Sequence, residues 1–284
     1  DKLCLSYRCR VGKVAQICHS CHVPTLDADN VLANCRPKRE AEIKRLVERK
    51  DEARLKAISQ PMARNAFHGY RFGLHNDLGV HGACPAEMLH LMLLGMMKHC
   101  RECFFAQLGS KSKAANEVNS LSKLHGSLFK RQAERDLPKT NFANGILKGK
   151  LTGKEYCGVL LIQAAILRST EGNRMLKSAT KQNFKQDWLI RDWLLLVETI
   201  LQWEAYLKLP AMKRKHVERL KKKHRFIMFL MKKVANRTKG MGMKFYKFHA
   251  ISHIAQEILW FGVPTVVDAA TNESHHKVTK HAAK

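Results

Sequence analysis

The chain is short of acids: 24 Asp+Glu stand against 51 Lys+Arg in 284 residues, a formal net charge of +27. Such an excess destabilises a compact fold by self-repulsion unless a polyanion offsets it. Nucleic acid is the polyanion that fits, since phosphate contacts release counterions. Long apolar runs are missing too. The longest, Leu89 to Met97, is interrupted by His90 and Gly95, far below the roughly 18 residues a membrane span needs. No secretory leader and no initiator Met are seen, and the pattern starts at Asp1 and stops at Lys284 as if cut from a longer protein.

Other chemistries lack their signatures. Thr238-Lys239-Gly240-Met241-Gly242 has the wrong Gly and Lys spacing for a phosphate-binding loop. No Cys stands beside a His on a strand–helix elbow, so a nucleophilic hydrolase is a distant reading. A helix-turn-helix or zinc-finger DNA reader is not visible. Nine cysteines, an odd number, with several inside apolar helical runs, argue against a disulfide framework and for a reducing setting.

What is present begins with residues 1–36, irregular and rich in Cys and His: Cys4, Cys9, Cys18, His19, Cys21, His22 and Cys35. Cys18-x-x-Cys21 has the spacing of half a zinc site. Cys4 with Cys9, or His22, or Cys35, are candidates to complete it, and free buried thiols are the alternative. Residues 37–110 follow. In them, 37–60 reads as one exposed amphipathic helix ended by Pro61, and 65–83, with its glycines and histidines, reads as loop.

The stretch Gly82–Gly95, GACPAEMLHLMLLG, joins a helix start, an apolar run and a polar pair. Pro85 suits a first helical position, and Leu89, Met92, Leu93, Met96 and Met97 form a buried stripe at helical spacing. Glu87 and His90 then share one face. Glu87 is either a helix-start acid or a metal-binding carboxylate with His90 as its partner.

Residues 111–260 read as overwhelmingly helical, with helices expected near 113–136, 154–169, 184–207, 211–236 and 245–260. A loop carries Lys148 and Lys150. The run 213–225 holds Lys213, Arg214, Lys215, Arg219, Lys221, Lys222, Lys223 and Arg225, dense enough for a phosphate-facing surface. Past Trp260, residues 261–268 suit a short β-branched strand. Asn272-Glu273-Ser274-His275-His276 then opens a new helix, again with a first-turn acid followed by histidine.

The ordered set of Cys18-x-x-Cys21, Glu87-x-x-His90 and the C-terminal Glu273 block resembles the CACTA and Plavaka-like eukaryotic cut-and-paste DNA transposases. That resemblance implies a mainly α chain. It would comprise a helical insertion plus the C-terminal part (261–284) of an incomplete RNase H-like α/β core, behind an N-terminal Cys-rich loop. It also implies that Glu87 and Glu273 are the second and third catalytic acids, with His90 the motif histidine. The acids would hold Mg²⁺ for phosphoryl transfer on DNA, and Zn²⁺ would sit in the Cys loop. Glu87 stands where these enzymes usually carry Asp, and the first acid would lie upstream of Lys2. The implied partners are transposon ends and target DNA, with self-association, in the nucleus, without a membrane. The isolated chain is expected to be inactive. A non-catalytic nucleic-acid-binding remnant and a zinc-stabilised helical scaffold are the alternatives.

Overall fold

The computed structural model describes residues 15–33, 35–70, 77–109, 112–128, 138–140, 142, 145–147, 151–179, 187–237 and 240–267. The mainly α expectation holds. Among the described residues the only β pairing is two isolated bridges, Gln16–Pro24 and Cys21–Pro37. An RNase H-like sheet is therefore not seen in them. The chain forms two compact units. One combines the N-terminal part up to Ala86 with 211–225 and 238–267; the other combines Glu87–Pro210 with Phe226–Arg237.

In the first unit, helices α1 (Glu40–Glu48) and α2 (Glu52–Ala57) stand in place of the one expected helix. The break has a local cause: Lys50 adopts φ 53°, and Asp51 then caps α2 by accepting from Arg54 N–H. The first half of α9 (Arg214–Val234) also belongs here, with α10 (Tyr246–Ala250) and α11 (Ile254–Phe261). The expected 245–260 helix is thus split at Ile251–His253. The strand expected over 261–268 is instead a 3-10 turn, Pro264–Val267. Pro264 has no N–H to give a ladder, and Gly262, at φ 87°, turns the chain as α11 ends.

The second unit is built on α3 (Met88–Met97), a π-helix that continues into α4 (Lys98–Leu108). Pro85 precedes it rather than opening it, because Glu87 is the N-cap. Met88 and Leu91 are buried alongside Met92, Leu93, Met96 and Met97, while Leu89 is only half-buried. A segment apolar nearly all round is buried nearly all round. Helix α6 (Glu155–Arg168) packs against α3 and, most extensively, against α8 (Asp187–Leu207), while α5 (Lys113–Leu128) and α7 (Thr170–Ala179) pack against α6 and each other. Phe104 meets Trp193 edge to face at 5.2 Å, and the Trp193 indole N–H donates to Gln107 Oε1 at 2.9 Å. Close approach depends on glycine at two helix positions: a Cβ on Gly158 would lie 1.5 Å from the Lys139 carbonyl oxygen, and one on Gly126 2.3 Å from that of Thr140.

Two buried histidines of the first unit are held neutral. Burial pushes His224 and His81 down from 6.5 to about 3. A group whose folded pKa is depressed costs stability as pH falls, because only the unfolded chain takes up the proton. Their contribution is therefore fully present above pH 6.5 and is lost progressively down to about pH 3. His224→Leu should flatten the acid limb of stability by about 1.4 kcal/mol per pH unit in that window. Urea midpoints measured against pH, compared with the parent chain, check it; parallel curves would refute a neutral buried His224.

Candidate metal centre

Residues 15–38 fold back on themselves around Cys18-x-x-Cys21. Lys38 N–H donates to Ser20 O and His22 N–H to Arg36 O, both at 2.9 Å, closing a short knuckle. The cysteines are buried within it, packed with Val23 and flanked by Ile17, Cys35 and Tyr246. Ser20 N–H points at Cys18 Sγ, 3.3 Å away, the kind of donor that steadies a thiolate.

The remaining two groups arrive from far along the chain. His249 is the penultimate residue of α10 and His253 caps α11, four residues apart, so one short helical path turns both imidazoles the same way. Cys18 Sγ lies 3.4 Å from His253 Nε2, Cys21 Sγ lies 3.2 Å from His249 Nε2, and the two Nε2 atoms are 3.0 Å apart. All four donor atoms fall within 4.8 Å of one another. A tetrahedral zinc with Zn–S of about 2.3 Å and Zn–N of about 2.0 Å spaces its ligand atoms roughly 3.3–3.8 Å apart. The donor set and its spacing fit such an ion with small adjustment, and the cluster can hold a metal such as zinc.

Electrostatics favour a thiolate at Cys18, the form a metal ligand needs. Burial raises the Cys18 thiol, but Cys21's hydrogen bond and the His253 charge outweigh it and bring the pKa well below its usual value. Cys21 moves the opposite way, raised by the hydrogen bonds to Cys18 and Cys35 and by burial. Cys21 therefore keeps its proton, and Cys18 is the thiolate. Burial lowers His253, yet the Cys18 charge lifts it to about 9 overall. The buried Lys38 ammonium donates to the Cys18 carbonyl oxygen at 2.6 Å, adding positive charge close to the sulfurs.

The sequence-level candidates sort out as follows. Cys18 and Cys21 converge. Cys35 packs beside them without joining the four. His22 faces Gln16 Oε1 (3.3 Å) and Glu42 Oε2 (3.4 Å) instead. Cys4 and Cys9 lie outside the described residues, as do Glu273, Lys148 and Lys150. Sequence reasoning missed His249 and His253, although the His-x-x-x-His spacing inside a helical pattern was the available signal.

Glu87 closes the start of α3. Its Oε2 accepts from Leu89 N–H at 2.8 Å and its Oε1 from His90 N–H at 2.6 Å, and the same Oε1 meets His90 Nδ1 in a very short contact. Glu87 belongs to no convergent metal-binding group among the described residues. The basic run is placed on one helix. Lys213, just before α9, and Arg214, Lys215, Arg219, Lys221, Lys222 and Arg225 are exposed, Lys223 is half-buried, and Val217, Leu220 and His224 face inward.

Comparison with known proteins adds no relative: no family model, curated protein or solved structure matches the chain. The centre makes its own prediction. The chain should bind one equivalent of Co²⁺ with the thiolate charge-transfer and tetrahedral bands of two sulfurs and two nitrogens. Cys21→Ser or His253→Ala should weaken binding about 100-fold or more. Because the metal must displace the protons on Cys21 and His253, affinity should rise with pH through the neutral range. An octahedral cobalt spectrum, or affinity indifferent to pH, would contradict the assignment.

Proposed function

We propose that the chain is a zinc-stapled nucleic-acid-binding segment related to the CACTA and Plavaka-like DNA transposases. The observation that carries the binding part is the outer face of α9: seven exposed Lys/Arg from Lys213 to Arg225 with one acid, Glu218, among them. Phosphates are read by such a face without regard to sequence. The zinc centre serves this role by fixing the short helices of its unit, which are too short to be stable alone.

The transposase part rests on the motif resemblance and on the Glu87–His90 pair. In that reading Glu87 and Glu273 bind Mg²⁺, whose chemistry is in-line displacement at phosphorus. Both Glu87 oxygens are engaged at the α3 N-terminus, so metal binding would require the His90 ring to swing away. DNA is the partner, with self-association and a nuclear setting following from the same reading.

Two outcomes are expected. Duplex DNA binding should weaken steeply with salt, and Lys215→Ala, Arg219→Ala and Lys222→Ala together should reduce the log–log salt slope by about 0.9 for each phosphate left without its cation. Fluorescence anisotropy over a salt series measures this, and a flat salt dependence would favour an acidic protein partner. The chain alone should neither cut nor join DNA in Mg²⁺ or Mn²⁺. Robust cleavage that Glu87→Gln abolishes would overturn that expectation.

A further inference from the structure

Beside the first turns of α9 the first unit has an open cavity of about 480 Å³, lined by Met212, Arg214 and Val217 on one side. The other side comes from α11 and the turn after it: Gln256, Ile258, Leu259, Gly262 and Val263. Its size is within the range of small-ligand sites. The chemistry of its wall is selective. Five side chains are apolar, and the two polar ones are an arginine and an amide, both exposed to solvent at the cavity. No carboxylate among the described residues lines it. An apolar slot takes a flat, uncharged body. Gln256 offers an NH₂ donor group and a carbonyl acceptor on a single amide, matching the edge of a nucleobase. Arg214 offers a planar fork for a phosphate. Gly262, at φ 87° with open space where a Cβ would be, leaves that edge of the cavity free of a side chain.

We propose that this cavity takes one unpaired nucleotide of a DNA strand, its base between Val217 and the α11 wall and its phosphate on Arg214. The inference rests on the nucleic-acid reading of α9. Charge complementarity selects a strand over a free nucleotide. Lys213 and Lys215 flank Arg214 in sequence, and Arg219 and Lys222 continue along the exposed side of the helix, so neighbouring phosphates have cationic partners that a mononucleotide would leave unused. A base already out of the stack avoids the cost of unstacking, which would make an unpaired nucleotide the favoured occupant over a paired one.

The test uses the full zinc-loaded chain and three probes: a perfect duplex, the same duplex with one bulged 2-aminopurine, and free deoxyadenosine monophosphate. The bulged duplex should bind about tenfold tighter than the perfect one, with a change in 2-aminopurine fluorescence. Val263→Trp, which fills the cavity, and Gln256→Ala, on its exposed rim, should each remove that preference. Both should leave perfect-duplex affinity within about twofold, provided that cobalt spectra show the metal centre intact. Equal affinity for the two duplexes, or a preference that survives both variants, would overturn the proposal while leaving general DNA binding in place. Monophosphate that competes fully with the bulged duplex would overturn the commitment to a strand. Loss of all DNA binding by the parent chain would overturn instead the reading of α9 on which the proposal stands.

Discussion

Everything in the first unit depends on four donor atoms meeting from sequence positions more than 200 residues apart. The Cys21–His249 contact closes 228 residues and Cys18–His253 closes 235. A loop of that length is entropically expensive to close, although the cost grows only with the logarithm of length. The elements it joins are slight. The Cys loop has no regular structure beyond two bridges and a 3-10 turn, α10 is five residues and α11 eight. Helices of that length do not persist on propensity. A metal held by the four donor atoms and bound only by the folded chain would supply such stabilisation.

The centre also explains a charge arrangement that would otherwise work against the fold. A buried lysine and buried histidines close together cost stability in a chain already at +27. Two thiolates and a divalent ion sum to zero, so the metal brings no further positive charge to the cluster. Without the ion, the histidine nearest Cys18 carries the counter-charge, which is why burial fails to discharge His253. At His224 and His81 burial prevails, and both are held neutral.

The legibility of the sequence follows from how local each signal is. The long helices α6, α8 and α9 are readable because their apolar spacing extends over several turns. The split between α1 and α2 is not, because Lys50 in a left-handed conformation carries none of the Gly or Asn that usually marks one. The turn at Pro264–Val267 resembles a strand in its β-branched residues, and there tertiary context overrides propensity. Cys18-x-x-Cys21 is readable as half a site, since its ligands are three residues apart. Its other half is hidden by distance: His249-x-x-x-His253 looks like ordinary helical sequence until the fold brings it to the cysteines.

The centre reaches beyond its own ligands into the segment that precedes α3. Glu257, one helical turn after His253, is buried and accepts Ala86 N–H on Oε2 at 2.9 Å. Burial lifts its carboxyl to about 7, against the His253 charge and that same Ala86 hydrogen bond, which pull it down. From the Cys loop, His19 Nε2 faces the Cys84 carbonyl oxygen at 3.4 Å. Both arms of the centre therefore hold the same three residues, Cys84–Ala86, one through a main-chain donor and one through a main-chain acceptor. The next residue in the chain is Glu87, whose carboxylate caps α3. A centre that stands in the sequence as two unrelated fragments is, in three dimensions, tied by two hydrogen bonds to one short stretch of main chain.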